Sequence, residues 1–399
     1  MKSVELFVGA GGLALGMGRA GFEHTSVIEW NSNACDTIRL NQKRGIPLVT
    51  DWSLYEGDAK KFDYAAIQQE IAVISGGPPC QPFSMGGNHK AYNDSRDMFP
   101  EAVRGIRELR PKAFIFENVK GLLRESFSTY VQYIHLQMSY PDVARKPGED
   151  WDSHLSRLER VHTAARRRRS AGGIRYRVVS RLLNAANYGV PQRRERVFFV
   201  GFRDDLGIEW SFPEPTHSQD ALLTDQWVTG EYWDRHKVAA RNRPIFPEKL
   251  RGKIESLKSN SLALQTLQPW NTVRDAIRDL PDPEKYPGND IANHVFIRGA
   301  KAYPGHTGSA FDEPAKTLKA GDHGVPGGEN MVSFGDGRVR YFTVREAARI
   351  QTFPDHFVFS GSWGETMRQL GNAVPVKLAE AVAFSVARKL RRLQIPRMH

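Results

Sequence analysis

The sequence predicts an α/β fold built on a parallel, doubly wound sheet, followed by a smaller loop-rich domain. Over residues 3 to 119, apolar runs typical of buried strands alternate with runs of helical period. A glycine-rich turn follows the first of these runs, at the position where such sheets bind ligands. Residues 203 to about 335 are instead rich in Pro, Gly, Trp and His, which is typical of a loop-rich domain.

The elements of the first domain follow in order. Each strand is expected where the chain is apolar and each helix where a capping residue precedes a helical period. The expected strands are 3–8 (SVELFV), 25–30 (TSVIEW), a third ending near Asp58, 71–75 (IAVIS), 112–119 (KAFIFENV) and two within 175–202. One expected helix follows the glycine turn, and another has Asn31 or Ser32 at its N-cap. Two more cover 99–109 and 378–393, and the last of these should pack back onto the first domain.

Composition limits the class of protein. The chain has 399 residues, 40% of them hydrophobic, and 56 Lys and Arg against 45 Asp and Glu give a formal charge of +11. A basic protein of this size attracts polyanions, and nucleic acid is the first candidate. With Cys35 and Cys80 as its 2 cysteines, a disulfide framework and a Cys-based zinc site are not expected, and reducing cytoplasm is the predicted location. No membrane segment, signal peptide or metal cluster is predicted.

The turn between the first strand and the first helix indicates an adenosine-bearing cofactor. Gly9 and Gly11 let the backbone approach a ligand, and the helix that follows offers free N–H groups. Glu29 lies 20 residues after Gly9 (29 − 9), where a carboxylate can accept hydrogen bonds from ribose hydroxyls. Because the spacing up to Ala14 also fits a loose nicotinamide-dinucleotide fingerprint, the turn alone leaves the cofactor open.

Cys80 is the candidate nucleophile. It stands in the run GGPPCQPFS, residues 76 to 84, directly after the apolar run IAVIS. Two prolines fix the backbone before the thiol, so Cys80 should be presented at the carboxyl end of a strand. A thiolate is suited to adding to carbon 6 of cytosine, which makes the poorly nucleophilic carbon 5 reactive.

Two further motifs complete this chemistry. Glu117, in the run FENV, ends the next apolar strand and could protonate the ring near N3 if burial raises its pKa. In QRRER, residues 192 to 196, alternation on a strand would place Gln192, Arg194 and Arg196 on one face, which could hold the cytosine O2 and a phosphate. A solvated carboxylate and a charged edge strand are the plainer readings of these residues.

Taken together, the residues resemble the DNA (cytosine-5) methyltransferases. The resemblance is carried, in the family's order and from end to end of the chain, by FVGAGG, EW at 29 to 30, GD at 57 to 58, GGPPCQPFS, ENV, QRRER and GNAVPV at 371 to 376. It implies a Rossmann-like S-adenosylmethionine-dependent domain with a mixed, mainly parallel sheet, and a smaller target-recognition domain. The implied function is sequence-specific methylation of a cytosine flipped out of double-stranded DNA, in a restriction-modification system.

The resemblance also implies roles for individual residues. Cys80 would be the nucleophile, Glu117 the N3 contact, and Arg194 and Arg196 the clamp on base and phosphate. Ser84 to Arg96 is similar to the family's loop that closes over the flipped base. The implied S-adenosylmethionine contacts are Phe7, Gly9, Gly11, Glu29 for the ribose, Trp30 for the adenine ring, Asp58 for its amine, Pro79 and Asn372.

The domain bounds follow from the same comparison. Residues 1–202, completed by 365–399, are expected to form the catalytic and cofactor domain, 203–335 the target-recognition domain and 336–364 the hinge. Glu117 to Gln192 spans 75 positions (192 − 117), so about 125–172 is expected to be an insertion, containing a basic run at 166 to 169. The segment FDEPAKTL, 311 to 318, matches the family loosely, with Lys316 where Arg is common. Conspicuous candidates for reading bases are Trp227, Arg241, His306 and His323.

Three other functions remain open from the sequence. A dinucleotide-dependent oxidoreductase would explain the glycine turn and Glu29, but would leave PPCQ, ENV and QRRER without a role. A tRNA methyltransferase of the same family has a similar core, although the long 203–335 region favours a DNA-reading domain. A DNA-binding protein without catalysis is disfavoured by the presence of both Cys80 and Glu117. The enzyme is expected to act as a monomer, with a restriction endonuclease as a possible genetic partner.

Overall fold

The structure, a computed structural model, describes residues 1–79, 97–167, 173–259, 267–287, 290–320 and 330–393. Two compact units are formed by discontinuous parts of the chain. The first contains Met1–Leu183, Glu195–Pro213 and Ala379–His399, and the second contains Asn184–Arg194 and Glu214–Leu378. The predicted functional boundaries at 202, 335 and 365 stay predictions. Cys80, the Ser84 to Arg96 loop and His323 lie outside the described residues.

The first unit is organised by a seven-stranded sheet with the order β3-β2-β1-β4-β5-β7-β6. Strands β1 to β5 pair in parallel, and β7 pairs antiparallel with β5. This mixed, mainly parallel sheet confirms the predicted fold class. The strands are β1 (Lys2–Leu6), β2 (Glu23–Glu29), β3 (Leu54–Glu56), β4 (Val73–Gly76), β5 (Ala113–Val119), β6 (Tyr176–Asn184) and β7 (Glu195–Arg203).

Helices follow the strands as the sequence pattern predicted. The side chain of Asn31 accepts a hydrogen bond from Ala34 N–H at 3.1 Å, which confirms the earlier of the two predicted caps. The first strand was predicted to reach residue 8, but it ends at Leu6 because Phe7 adopts a positive φ of 57°. The helices are α1 (Gly12–Arg19), α2 (Ser32–Lys43), α3 (Phe99–Leu109), α4 (Ser128–Ser139) and α5 (Trp151–Arg167).

Helices α4 and α5 occupy most of the stretch predicted as an insertion, and they belong to the main core of the first unit. Tyr130, Ile134 and Leu158 are at most 1% exposed and pack in one cluster with residues of the central strands, such as Phe116 and Phe199. Burial of side chains this large contributes on the order of 2 kcal/mol each. The stretch is therefore an integral part of the core.

The second unit is built from short elements, as its composition predicted. Among the described residues, none of its strands exceeds three residues, and its aromatic core includes Tyr232, Trp233 and Trp270. The strands are β8 (His217–Ser218), β9 (Gln268–Pro269), β10 (Ser309–Ala310), β11 (Met331–Ser333) and β12 (Val339–Tyr341). The helices are α6 (Gln219–Thr224), α7 (Glu231–Arg235), α8 (Arg251–Ser259), α9 (Val273–Ile277), α10 (Val344–Ile350) and α11 (Trp363–Asn372).

The C-terminal helix α12 (Val376–Arg392) contributes its residues from Ala379 onward to the first unit. Trp210 Nε1 donates to Ser385 Oγ at 3.2 Å, and Arg391 donates to the carbonyl of Ala20 at 2.7 Å. By length and composition, the helical stretch Trp363–Arg392 could cross a membrane, but 67% of its apolar window is buried inside the protein. That burial is typical of a core helix.

Candidate active site

The loop after β1 has the backbone conformation expected of a ligand-binding turn. Phe7, Gly9 and Gly11 all have positive φ, at 57°, 54° and 93°. A Cβ on Gly11 would lie 2.8 Å from the Trp52 ring, whereas a Cβ on Gly9 would meet nothing within 4 Å. Glycine at 11 is thus required by the fold itself, while Gly9 faces open space that a ligand can enter.

Glu29 organises this loop. Its carboxylate accepts hydrogen bonds from the N–H groups of Gly9 at 2.8 Å, Trp30 at 3.0 Å and Asn31 at 2.8 Å. Three N–H donors satisfy and orient a carboxylate that is only 6% exposed. The glycine turn after β1 and the end of β2 are therefore tied together through one side chain.

The other predicted cofactor contacts of the first unit lie at the same edge of the sheet. Trp30, directly after β2, is 77% exposed, so a large apolar ring stands in solvent beside the loop. Asp58 follows β3 and accepts a hydrogen bond from Lys60 N–H at 3.0 Å, while Gly57 N–H donates to the Glu29 carbonyl at 2.8 Å. Because β1, β2 and β3 pair in parallel, their carboxyl ends bring these residues together.

The turn that leads to Cys80 is held by the strand beside it. Pairing of Gly76 with Phe116 sets the end of β4 against β5. The side chain of Asn118 then donates to the carbonyl of Pro78 at 3.0 Å. Glu117 Oε2 lies near Gly77, where an added Cβ would be 3.2 Å from it. Glu117 and the turn before Cys80 are thus neighbours, as their positions at adjacent strand ends predicted.

Glu117 forms a buried ion pair with Arg196 across the β5 and β7 pair. Arg196 Nε lies 2.8 Å from Glu117 Oε1, and the two side chains are 11% and 8% exposed. Burial lowers the pKa of Arg196, and the negative charge of Glu117 opposes that change. Glu117, the predicted N3 contact, therefore has a fixed cation beside it. From the sequence, Arg196 was expected to bind the base and a phosphate instead.

Gln192 and Arg194 precede β7 instead of lying on it, so the predicted strand is wrong for these two positions. Both are nevertheless 0% exposed, in keeping with the predicted alternation. The guanidinium of Arg194 donates to the carbonyls of Leu318 at 3.0 Å and Gly371 at 2.5 Å, and Gln192 accepts from Leu318 N–H at 3.1 Å. These contacts hold segments of the second unit together.

The remaining candidates belong to the second unit. Asn372 ends α11 and is exposed. Trp227 is partly buried and packs edge-on against Trp233 of the aromatic core, with ring centroids 5.5 Å apart. Arg241 is exposed, and His306 lies against Tyr303 with ring centroids 4.4 Å apart. Within the described part of the chain, no group of three or more His, Cys, Asp or Glu could hold a metal ion.

Two further side chains that the motifs did not assign, Asn118 and Glu5, support the site. Asn118 was read only as part of ENV, although its position after Glu117 was a signal. Glu5 lies fully buried on β1, and its carboxyl accepts a hydrogen bond from Ser75 Oγ at 2.8 Å. A lone acid inside the apolar run SVELFV was the signal for this contact.

Comparison with known proteins gives matches over nearly the whole chain. The family model described as C-5 cytosine-specific DNA methylase matches residues 1–140 and 159–388. The Type II methyltransferase M.Eco47II of Escherichia coli is 31% identical over 98% of this chain and 79% of its own length. The Type II methyltransferase M.NgoMIV of Neisseria gonorrhoeae is 31% identical over 98% of both chains.

Solved structures show the same fold at lower sequence identity. The Dnmt2 methyltransferase of Schizosaccharomyces pombe superposes with a TM-score of 0.56 at 17% identity, over 99% of this chain and 100% of that chain. The methyltransferase EhMeth of Entamoeba histolytica gives a TM-score of 0.53 at 14% identity, over 98% of each chain.

Proposed function

Because the chain belongs to the family of C-5 cytosine-specific DNA methylases, we propose that it methylates carbon 5 of a cytosine within a defined double-stranded DNA sequence. Relatives named Type II methyltransferases match nearly its full length, which supports a role as the modification enzyme of a restriction-modification system. The observation that carries the mechanism is the contact of Glu117 and Asn118 with the turn directly before Cys80.

The cofactor side of the site fits S-adenosylmethionine. Glu29 would accept from the ribose hydroxyls, Trp30 would stack on the adenine and Asp58 would accept from its amine. Phe7, Gly9 and Gly11 would line the same pocket, and the open space above Gly9 supports this assignment. When bound, this cofactor supplies an electrophilic methyl group. Pro79 and Asn372 are further proposed contacts.

Cys80 would act as the nucleophile on a cytosine flipped into the site. Addition of its thiolate to carbon 6 would move the electron pair of the C5–C6 double bond to carbon 5, which would make that carbon nucleophilic towards an electrophilic methyl donor. Loss of the carbon 5 proton and of the thiolate restores the aromatic ring. Flipping costs a few kcal/mol of stacking and pairing, which contacts to the extrahelical base offset.

Glu117 would contact N3 of the flipped base while Arg196 fixes its carboxylate. A side chain held by a buried guanidinium has one defined orientation, and a proton between its carboxyl oxygen and N3 would complete a directed hydrogen bond. Arg194 stays a proposed clamp on base and phosphate. We further infer a monomer in the cytoplasm, with a restriction endonuclease as its genetic partner.

The first test is methylation of host DNA. Bisulfite sequencing of DNA from a host that lacks cytosine methylation and expresses this protein should reveal methylcytosine in one sequence context. Methylcytosine in tRNA alone would favour the tRNA-modifying branch, and methylcytosine in neither would overturn the proposal. The oxidoreductase alternative does not explain the family match.

The second test is the nucleophile. Cys80→Ala should abolish methylation and the covalent trapping of the protein on DNA that carries 5-fluorocytosine, while S-adenosylmethionine still binds. Cys35→Ala is the matched control, because Cys35 is buried in α2 and burial raises the pKa of its thiol to about 12. Turnover by Cys80→Ala close to that of the wild type would contradict the mechanism.

A further inference from the structure

Helix α4 contains a tyrosine whose buried hydroxyl contacts the segment beside the active site. Tyr130 is 1% exposed, and its hydroxyl donates to Asp97 Oδ2 at 2.5 Å. The other oxygen of Asp97 accepts from Phe99 N–H at 3.1 Å. The Tyr130 ring also meets Phe99 edge-on, with centroids 6.4 Å apart. The carboxylate of Asp97 is therefore fixed by two hydrogen bonds to packed elements.

The residue after Asp97 bonds to the peptide group that precedes Cys80. Met98, the residue after Asp97, donates its N–H to the carbonyl of Pro79 at 3.3 Å. That carbonyl belongs to the peptide group joining Pro79 to Cys80. The side chain of Asn118 donates to the preceding carbonyl, that of Pro78. Two successive peptide groups before the thiol are thus held, one from β5 and one from the segment anchored by α4.

We propose that Tyr130 is a positioning residue for the methyl-transfer reaction, acting through Asp97 and Met98 on the Pro79 to Cys80 peptide. The inference rests on Cys80 being the nucleophile, as proposed above. It assigns a role to helix α4, at the start of the stretch that the sequence predicted to be an insertion, and Tyr130 lies within the residues that the family model matches. Small displacements of an attacking atom slow a reaction strongly, because the near-attack geometry is lost.

The choice of Tyr130 over its neighbours follows from the contacts. Tyr133 lies on the same helix and is also buried, but its hydroxyl pairs with His154 Nδ1 at 2.8 Å, within the α4 and α5 pair. Tyr133→Phe therefore removes a comparable buried hydroxyl without touching Asp97. It is the matched control for Tyr130→Phe, which keeps the ring packing and loses the bond to Asp97.

The test compares these two variants as full-length proteins. The rate constant for covalent trapping on 5-fluorocytosine DNA, at saturating DNA and S-adenosylmethionine, should fall about tenfold in Tyr130→Phe and stay near that of the wild type in Tyr133→Phe. The kcat of Tyr130→Phe should fall in parallel. Its KM for each substrate and its decrease in melting temperature should equal those of Tyr133→Phe. A structural role alone would not separate the two variants in this way.

A second variant tests the same contact from the other partner. Asp97→Asn keeps an oxygen for Phe99 N–H but removes the charge that strengthens the bond from Tyr130. It should slow trapping less than Tyr130→Phe does. Equal trapping rates for Tyr130→Phe and Tyr133→Phe would overturn the inference, as would a fall in cofactor affinity that accounts for the slower rate. If the wild type is not trapped, the proposed nucleophile itself is wrong, and this inference falls with it.

Discussion

At the scale of single residues, the Glu117 and Arg196 pair is the best-defined feature of the site. Both side chains are nearly inaccessible, and their charged atoms are 2.8 Å apart. Removing charges from water is unfavourable, and mutual attraction compensates for this only while both partners are present. Removal of either partner alone should therefore lower the stability of the fold.

Arg196→Met should destabilise the protein by about 3–5 kcal/mol, because the buried carboxylate of Glu117 loses its cation. The double variant with Glu117→Gln should recover most of this loss but none of the methylation activity. Urea denaturation and bisulfite sequencing measure the two properties separately. If the double variant were no more stable than Arg196→Met, the ion pair would not be the source of the loss.

At the scale of elements, the central strands β1 and β4 are joined by a buried acid, Glu5 of β1, which bonds to Ser75 of β4. Burial raises the pKa of Glu5 to about 8, an effect larger than the opposing hydrogen bond from Ser75. Glu5 is therefore protonated in the folded state at neutral pH and ionised in the unfolded state. This contribution to stability is complete below about pH 4.5 and is lost as pH rises towards 8.

Glu5→Gln should reveal this pH dependence. The variant carries no ionisable group at this position, so its free energy of unfolding should rise relative to that of the wild type between about pH 5 and pH 8. The slope can reach at most about 1.4 kcal/mol per pH unit. Urea unfolding of both proteins at several pH values measures it. A difference independent of pH would show that Glu5 is ionised in the fold.

Gly9 and Gly11, in the loop after β1, allow a second prediction at this scale. Gly11→Ala should lower the free energy of unfolding by about 1–3 kcal/mol, because the strained φ and the Trp52 ring leave no room for a methyl group. Gly9→Ala should cost less stability but weaken S-adenosylmethionine binding. Calorimetry and thermal unfolding distinguish the two effects. Equal affinity of Gly9→Ala and the wild type would place the cofactor elsewhere.

At the scale of the whole molecule, the formal charge of +11 is the property that bears most on DNA binding. Each phosphate neutralised by Lys or Arg releases condensed counterions, so affinity for DNA falls as salt rises. A field of this sign speeds encounter with DNA of any sequence, and base-edge contacts must then select the site.

DNA affinity should therefore fall steeply between about 50 and about 200 mM salt, with a logarithmic slope of about −0.9 per phosphate contacted. The affinity for S-adenosylmethionine should change little over the same range, since no polyelectrolyte is involved. Fluorescence anisotropy and calorimetry measure the two. A flat salt dependence for DNA would argue against phosphate contacts as the main source of affinity.

The sequence alone determined the fold class and the ends of the strands where functional residues stand. Apolar period, glycine turns and cap residues are local signals, so the existence of β1, the Asn31 cap and the position of Glu117 near the end of β5 could be predicted directly. Gln192, Arg194 and Arg196 are all buried, but the strand that was expected to align them begins only at Glu195.

Only the tertiary structure decided which partners these side chains have. Arg196 pairs with Glu117, Arg194 bonds to carbonyls more than a hundred positions away, and Tyr130 reaches Asp97 from a stretch that looked like an insertion. Such contacts depend on strand order and helix packing, which join residues that are distant in sequence and leave no local pattern. For this reason the motifs indicated the chemistry, but they did not indicate the contacts that position the reacting residues.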